Sequence, residues 1–153
     1  MRASMLAVAL GLALLLPAAS ALADGPSPVI VPAAPAPTAE GHLKEGLDYQ
    51  KKRDFRRAAS AYQAAIRLRE AFPEAWNGLG YALRQQGKLP EALKAYERAL
   101  ALRPDYAEAL EYLGEAYVKL GRLDDARRVL ARLEPLDQEE AHKLRAAIAG
   151  VRP

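Results

Sequence analysis

From residue 40 onward, apolar and polar residues alternate with the period of amphipathic helices. The stretch "WNGLGYALRQQGKLPEALKAYERAL", residues 76–100, indicates two such helices joined by a turn at Gly87. The first of them carries Gly80 in its interior, where glycine costs about 1 kcal/mol relative to alanine. Gly46 and Gly114 lie 34 residues before and after Gly80. The pattern therefore predicts a repeated helical unit in which this glycine meets a structural need.

Other positions recur at the same spacing of 34 residues. The recurring residues are Ala58, Ala92 and Ala126; Tyr62, Tyr96 and Leu130; and Ala65, Ala99 and Leu133. Each unit is predicted to be a pair of helices, with the turn marked by Gly87, by Gly121 and, in the first unit, by "KRDF". We expect Gly80 to face Ala92 across its own pair, so that the two backbones approach closely. The same packing is expected in all three units.

These residues resemble the tetratricopeptide repeat (TPR) family. The second unit carries the pattern in full: Trp76, Leu79, Gly80, Leu83, Gly87, Ala92, Tyr96, Ala99 and Pro104. The third unit matches at Leu110, Leu113, Gly114, Tyr117, Gly121, Ala126, Leu130 and Leu133. The first matches at Gly46, Tyr49, Ala58, Tyr62 and Ala65, and departs at His42, Glu45 and Glu70. The resemblance implies an all-α fold, a TPR-type α-solenoid of antiparallel helix pairs, over residues 39–150, with repeats at 39–72, 73–106 and 107–135.

A last helix is predicted over residues 137–149. Pro135 ends the third unit, and Asp137 and Glu140 have the spacing of a capping box. The apolar residues of this segment form one stripe: Ala141, Leu144 and Ile148. Because the terminal unit of a solenoid needs a polar-backed cover, we interpret the segment as a capping helix. The alternative is that the stripe binds a partner helix or a second copy of the chain.

The first 23 residues have the features of a signal peptide. Arg2 supplies the positive charge, residues 6–16 are apolar, Pro17 follows them, and "ALA" at 21–23 is a small-x-small cleavage pattern. We expect cleavage after Ala23 and a periplasmic or secreted protein. The alternative is an uncleaved membrane anchor, and a membrane contact is expected only in that case.

Residues 24–38 are predicted to form a Pro-rich linker. The segment "DGPSPVIVPAAPAPT" contains five prolines, which lack a backbone donor and favour an extended chain. The linker would act as a spacer, or alternatively as a ligand for an aromatic groove of another protein.

Composition narrows the class of function. The 153 residues include 22 basic and 19 acidic side chains, a net charge of +3, with no concentrated basic run. This balance argues against a nucleic-acid partner. Cysteine is absent, which excludes disulfides and thiolate chemistry.

Residues with catalytic or metal-binding chemistry are sparse and scattered. His42 and His142 lie at opposite ends of the predicted domain, and Ser60 is the only serine within the repeats. Catalytic triads and metal sites need several such groups close together. Gly78 and Gly80 lie within a predicted helix, where they cannot form a phosphate loop. We therefore expect no enzyme activity, no metal and no cofactor.

A partner-binding groove follows from the resemblance. In TPR proteins the first helix of each unit lines a concave groove that holds a peptide or a partner helix. Carried over by position, the expected groove residues are Glu74, Asn77, Tyr81, Arg84, Glu108, Glu111 and Glu115. Basic residues concentrate on the second helices: Arg56, Arg57, Arg67, Lys94, Arg98, Arg127, Arg128 and Arg132. An acidic inner wall would favour a basic or neutral peptide. Alternatively, these charges only solvate the helices.

One subtype of the family is not expected. TPR proteins that clamp a C-terminal carboxylate carry a lysine and asparagines at defined groove positions. The matching positions here hold Leu43, Leu47 and Gly78, while Glu108 and Tyr112 stand where further cations would be needed.

The leading functional hypothesis is a non-enzymatic adaptor or scaffold of a bacterial cell envelope that binds another envelope protein or peptide. The second hypothesis is a self-assembling scaffold, a homo-oligomer of this chain. The third is a groove that carries a ligand or builds an enzyme.

Overall fold

The computed structural model describes residues 36–151, which form seven helices and no strands. The helices are α1 (Ala39–Lys51), α2 (Phe55–Leu68), α3 (Pro73–Gln85), α4 (Leu89–Leu102), α5 (Ala107–Lys119), α6 (Leu123–Leu133) and α7 (Gln138–Gly150). The predicted signal peptide, residues 1–23, and the linker up to residue 35 lie outside the described residues. None of the seven helices is long and apolar enough to cross a membrane.

The helices pack in sequential pairs that form an α-solenoid. Helix α1 pairs with α2, α3 with α4, and α5 with α6, and each pair also contacts the next. The first helices of the pairs, α1, α3 and α5, contact one another in order along one side. Helix α7 packs against α5 and α6 and covers the last pair. The predicted all-α solenoid of antiparallel helix pairs is confirmed.

Local signals in the sequence begin three of the helices with a side-chain cap. Thr38 accepts a hydrogen bond from the Gly41 amide at 3.0 Å, and Asp54 accepts one from the Arg57 amide at 3.1 Å. Asp137 accepts one from the Glu140 amide at 3.0 Å, as the capping pattern predicts. These oxygens satisfy amide groups that have no partner within the first turn of a helix.

The interior glycines make room for tyrosine rings. A Cβ built on Gly80 would lie 2.6 Å from the Tyr96 ring of α4, so a ring, rather than the predicted Ala92, fills the space beside this glycine. The Tyr62 ring contacts two glycines, Gly46 of α1 and Gly78 of α3. Both rings are fully buried. The ring contact therefore offsets the helix propensity that glycine loses.

The third pair departs from this arrangement. The space beside Gly114 is filled by Leu144 of α7, and not by the second helix of its own pair. The expectation that the same packing occurs within all three units is wrong for this unit. The physical reason is that Leu130, at the position of Tyr62 and Tyr96, lacks a ring, and α7 supplies a buried apolar side chain instead.

We expect Gly80→Ala to destabilise the chain, although alanine is the better helix former. The added Cβ would overlap the Tyr96 ring, which is enclosed on all sides, and overpacking of this kind costs about 1–3 kcal/mol. The midpoint of urea unfolding measures the change. Gly150→Ala is the matched control because its Cβ would meet nothing within 4 Å, and we expect its midpoint to stay the same or rise. An unchanged midpoint for Gly80→Ala would contradict the ring contact.

The turn of the first pair holds a strained residue. Arg53 has a φ of 59°, while the equivalent positions in the next two pairs are Gly87 and Gly121, with φ of 76° and 70°. Because only glycine adopts this left-handed region without cost, Arg53→Gly should raise the free energy of unfolding by about 0.5–1 kcal/mol. Gly87→Ala should lower it by about 1 kcal/mol. Chemical denaturation of both variants tests the pair, and a loss of stability in Arg53→Gly would refute the strain.

Candidate functional site

A hollow of about 240 Å³ lies beside the first helices of the three pairs. Aliphatic Leu43 and Leu47 of α1 form one part of its lining. The rest of the lining is aromatic and polar: Tyr62, Tyr81, Tyr106, Tyr112, Gly78, Gln50, Glu74, Asn77 and Glu108. No lysine or arginine lines it. This combination suits a ligand with an apolar stem and hydrogen-bonding groups.

Two of the tyrosines reach the hollow because of glycine positions. Tyr62 projects from α2 between Gly46 and Gly78, and its hydroxyl donates to Gln50 Oε1 at 2.8 Å. Tyr112 stands in α5 at the position that Gly78 occupies in α3. Its ring packs against Tyr81, with ring centroids 5.3 Å apart. The repeat thus places glycine in one helix and a ring in the next, which leaves an open space between them.

Asn77, Tyr106 and Glu108 form a chain of hydrogen bonds in the hollow. Asn77 Nδ2 donates to the Tyr106 hydroxyl oxygen at 3.4 Å, and that hydroxyl donates to Glu108 Oε2 at 3.3 Å. Asn77 is only 4% exposed. Within the described residues its Oδ1 atom is buried and has no hydrogen-bond partner. A buried acceptor without a donor is costly, so this atom is a ready contact for a ligand N–H group.

Burial raises the pKa of the hollow's tyrosines. Loss of hydration is the largest cause for Tyr62, Tyr106 and Tyr112, and the negative charge of Glu108 is the second. The pKa of Tyr106 rises to about 12. These phenols therefore remain protonated at neutral pH and offer neutral donors and acceptors.

A repeated ion pair bridges each pair of helices to the next, except at Glu108. Arg69 pairs with Glu40, and 34 residues later Arg103 pairs with Glu74. The next position after Arg103 is Asp137, the cap of α7, so no arginine is available there. Within residues 36–151, the exposed Glu108 forms no ion pair, and its hydrogen-bond partner is the Tyr106 hydroxyl.

The seven predicted groove residues occupy three surroundings. Four of them line the hollow: Glu74, Asn77, Tyr81 and Glu108. Arg84 is buried and pairs with Glu115, and its guanidinium carbon lies 5.4 Å from the Tyr81 ring centroid and 5.1 Å from that of Tyr112. Glu111 faces Glu140 of α7. The three carboxylates of α5 thus have three different environments instead of forming one continuous acidic wall.

The predicted basic residues of the second helices are all exposed: Arg56, Arg57, Arg67, Lys94, Arg98, Arg127, Arg128 and Arg132. Four of the eight form ion pairs, such as Arg98 with Glu70 at 2.7 Å. Within residues 36–151, no group of three or more histidine, aspartate or glutamate side chains is placed to hold a metal ion.

Comparisons with known proteins agree with this geometry. Residues 80–121 match a family model described as "TPR repeat". The TPR2B domain of yeast Sti1, in a complex with a pHsp70 peptide, aligns with a TM-score of 0.71 and 22% identity over 74% of this chain and 98% of its own. The fold is a TPR solenoid.

Two further TPR structures align equally well. The Arabidopsis OM64 TPR domain has a TM-score of 0.70 and 18% identity over 73% of this chain and 94% of its own. The second TPR domain of human RPAP3, in complex with the HSP70 peptide SGPTIEEVD, has a TM-score of 0.70 and 23% identity over 74% and 96%. The comparison with curated proteins gives no match.

The sequence interpretation missed three aromatic residues of this TPR hollow. Tyr62 was expected in the core, and Tyr106 and Tyr112 were not expected at the site. Their signal lies in the 34-residue register: Tyr106 replaces Phe72 and adds a hydroxyl, and Tyr112 replaces Gly78 and adds a ring. Departures from the TPR repeat marked the site more directly than the family's groove positions did.

Glu111 and Glu140 form an acidic contact between α5 and the last helix of the TPR solenoid. The same register positions hold Leu43 with Phe72 and then Asn77 with Tyr106 in the preceding pairs. Burial is the largest cause that raises the pKa of Glu111 to about 7, followed by the negative charges of Glu140 and Glu115, with Lys143 acting in the opposite direction.

This pKa makes a prediction about stability. Because the folded-state pKa of Glu111 exceeds its ordinary value of 4.5, the folded chain keeps a proton that the unfolded chain has released. Stability should therefore fall as pH rises from about 4.5 to 7. We expect Tm to decrease between pH 5 and pH 8 and Glu111→Gln to reduce that decrease. The control is Glu91→Gln, an exposed acid in the first turn of α4. Equal slopes for Glu111→Gln and wild type would refute the contact.

Proposed function

We propose that this chain is a non-enzymatic protein-interaction module of a bacterial cell envelope. Its hollow binds an extended peptide or a helix of another envelope protein. The observation that carries the proposal is the open hollow beside α1, α3 and α5, in which Asn77 Oδ1 is buried without a donor. A peptide backbone offers N–H groups that would meet this need.

The solved TPR neighbours support a peptide as ligand. The first TPR of Spaghetti (RPAP3) was solved with the HSP90 peptide SRMEEVD; it aligns with a TM-score of 0.67 and 22% identity over 74% of this chain and 94% of its own. This peptide and the HSP70 peptide of the second human domain both end in EEVD. The hollow of the present chain contains two glutamates and no basic residue. We therefore expect it to reject such acidic peptides.

The envelope location rests on the sequence alone. Residues 1–23 have the pattern of a cleavable signal peptide, and residues 24–38 follow as a Pro-rich spacer. In this proposal the solenoid is periplasmic or secreted, and its partner is exposed to the same compartment.

In-cell photo-cross-linking tests the proposal. A photoreactive amino acid replaces Tyr81, which lines the hollow, and in the control it replaces Arg98, which is exposed on α4. Mass spectrometry then identifies the adducts. We expect one distinct envelope protein to be trapped from position 81 and not from position 98, because only position 81 contacts a ligand in the hollow.

The other outcomes separate the alternatives. Adducts of the chain with itself would favour the self-assembling scaffold, for which the apolar side chains between α6 and α7 offer a surface: Leu123, Leu130, Ile148 and Val151. Equal adducts from positions 81 and 98, or none from either, would refute the hollow as the interaction site.

A further inference from the structure

The charges around the hollow leave one carboxylate uncompensated. Glu74 is paired with Arg103, and Arg84, behind the rings of Tyr81 and Tyr112, is paired with Glu115. Glu108 has no ion pair within the described residues, because Asp137 stands where an arginine stands in the two earlier pairs. Glu108 is also exposed, so a ligand can reach it. The hollow therefore has a net negative charge that favours a cation.

Oxygen acceptors surround this carboxylate. The Tyr106 hydroxyl oxygen lies 3.3 Å from Glu108 Oε2, and the charge of Glu108 also acts on the buried hydroxyls of Tyr62 and Tyr112. A compact ammonium group carries three N–H donors that can point to several acceptors at once. The rings of Tyr81 and Tyr112 and the side chain of Leu47 line the same space and suit an aliphatic stem.

A second and independent feature indicates a peptide. Asn77 Oδ1 is buried, lines the hollow and lacks a donor. It is tied through its own Nδ2 and the Tyr106 hydroxyl to Glu108, so that one hydrogen-bonded chain joins the backbone acceptor to the carboxylate. A free small cation would satisfy Glu108 and leave Asn77 Oδ1 unpaired, whereas a peptide would satisfy both.

We propose that the hollow is a specificity pocket for a lysine side chain of an extended peptide. The lysine ammonium group donates to Glu108 and to the tyrosine hydroxyl oxygens, its methylene stem lies against Tyr81, and a backbone N–H of the peptide donates to Asn77 Oδ1. This inference rests on the proposed function, since it names the residue by which the partner is recognised.

Nuclear magnetic resonance with the ¹⁵N-labelled protein tests the pocket. The side-chain amide signal of Asn77 is followed during titration with three peptides: acetyl-AAAKAAA-amide, the same peptide with norleucine in place of lysine, and the same peptide with glutamate. Norleucine keeps an aliphatic stem and removes the charge. We expect the lysine peptide to shift the Asn77 signal with a Kd at least about tenfold below that of the norleucine peptide.

Variants of the protein assign the effect to Glu108. Glu108→Gln should remove the preference for lysine over norleucine and leave the fold intact, because Glu108 is exposed and forms no ion pair within residues 36–151. Glu91→Gln is the matched control: it removes the same charge from an exposed position of α4 that does not line the hollow. We expect this variant to keep the full preference.

Four results would overturn the lysine pocket. These are equal affinity for the lysine and norleucine peptides, tighter binding of the glutamate peptide, an unchanged preference in Glu108→Gln, and saturation of the Asn77 shift by choline chloride at a lower concentration than by the lysine peptide. If one of them occurs while position 81 still traps a partner in cells, the interaction module stands and only its lysine specificity fails. Silence in both experiments would end both proposals.

Discussion

The contact of the Tyr62 ring with two glycines is the constraint on which the rest of the solenoid depends. Gly46 and Gly78 belong to the first helices of consecutive pairs, and both lie against the same ring, which projects from α2. A side chain at either glycine would need the space that the ring occupies, so the contact sets the distance between α1, α2 and α3. Tyr96 repeats the contact within the second pair at Gly80. The hollow lies beside these contacts, and the Tyr62 hydroxyl reaches it.

The chemistry of the site arises where the repeat changes. The arginine that pairs with a glutamate in the first two pairs is replaced by Asp137, which instead caps α7. The same substitution that begins the last helix therefore leaves Glu108 without a cation. Tyr106 and Tyr112 likewise occupy positions of Phe72 and Gly78 and bring a hydroxyl and a ring into the hollow. Regular positions maintain the packing of the solenoid, and the irregular ones provide binding groups.

Much of the fold could be predicted because its determinants are local. Helical periodicity, the glycine turns and the cap at Asp137 each involve residues within a few positions of one another, and the repeat of 34 residues carries the pairing to the whole domain. The site was predicted less well. Glu74, Asn77, Tyr81 and Glu108 line the hollow as expected from family positions, whereas Arg84 and Glu115 pair with each other and Glu111 faces Glu140. A helical face shows which carboxylates point the same way, and does not show which neighbours meet them.

The sequence by itself determined the helices, their turns and their order, because backbone propensity and amphipathic periodicity act over one or two helical turns. Only the tertiary structure decided which side chain fills the space beside each glycine. Tyr96 fills it at Gly80 and Leu144 of the last helix fills it at Gly114. It also decided which charges are neutralised, because Arg84 and Glu115 are 31 residues apart and meet only when α3 and α5 pack side by side. Distances between groups on different helices depend on the packing of large buried side chains, and those distances decide which groups face the hollow.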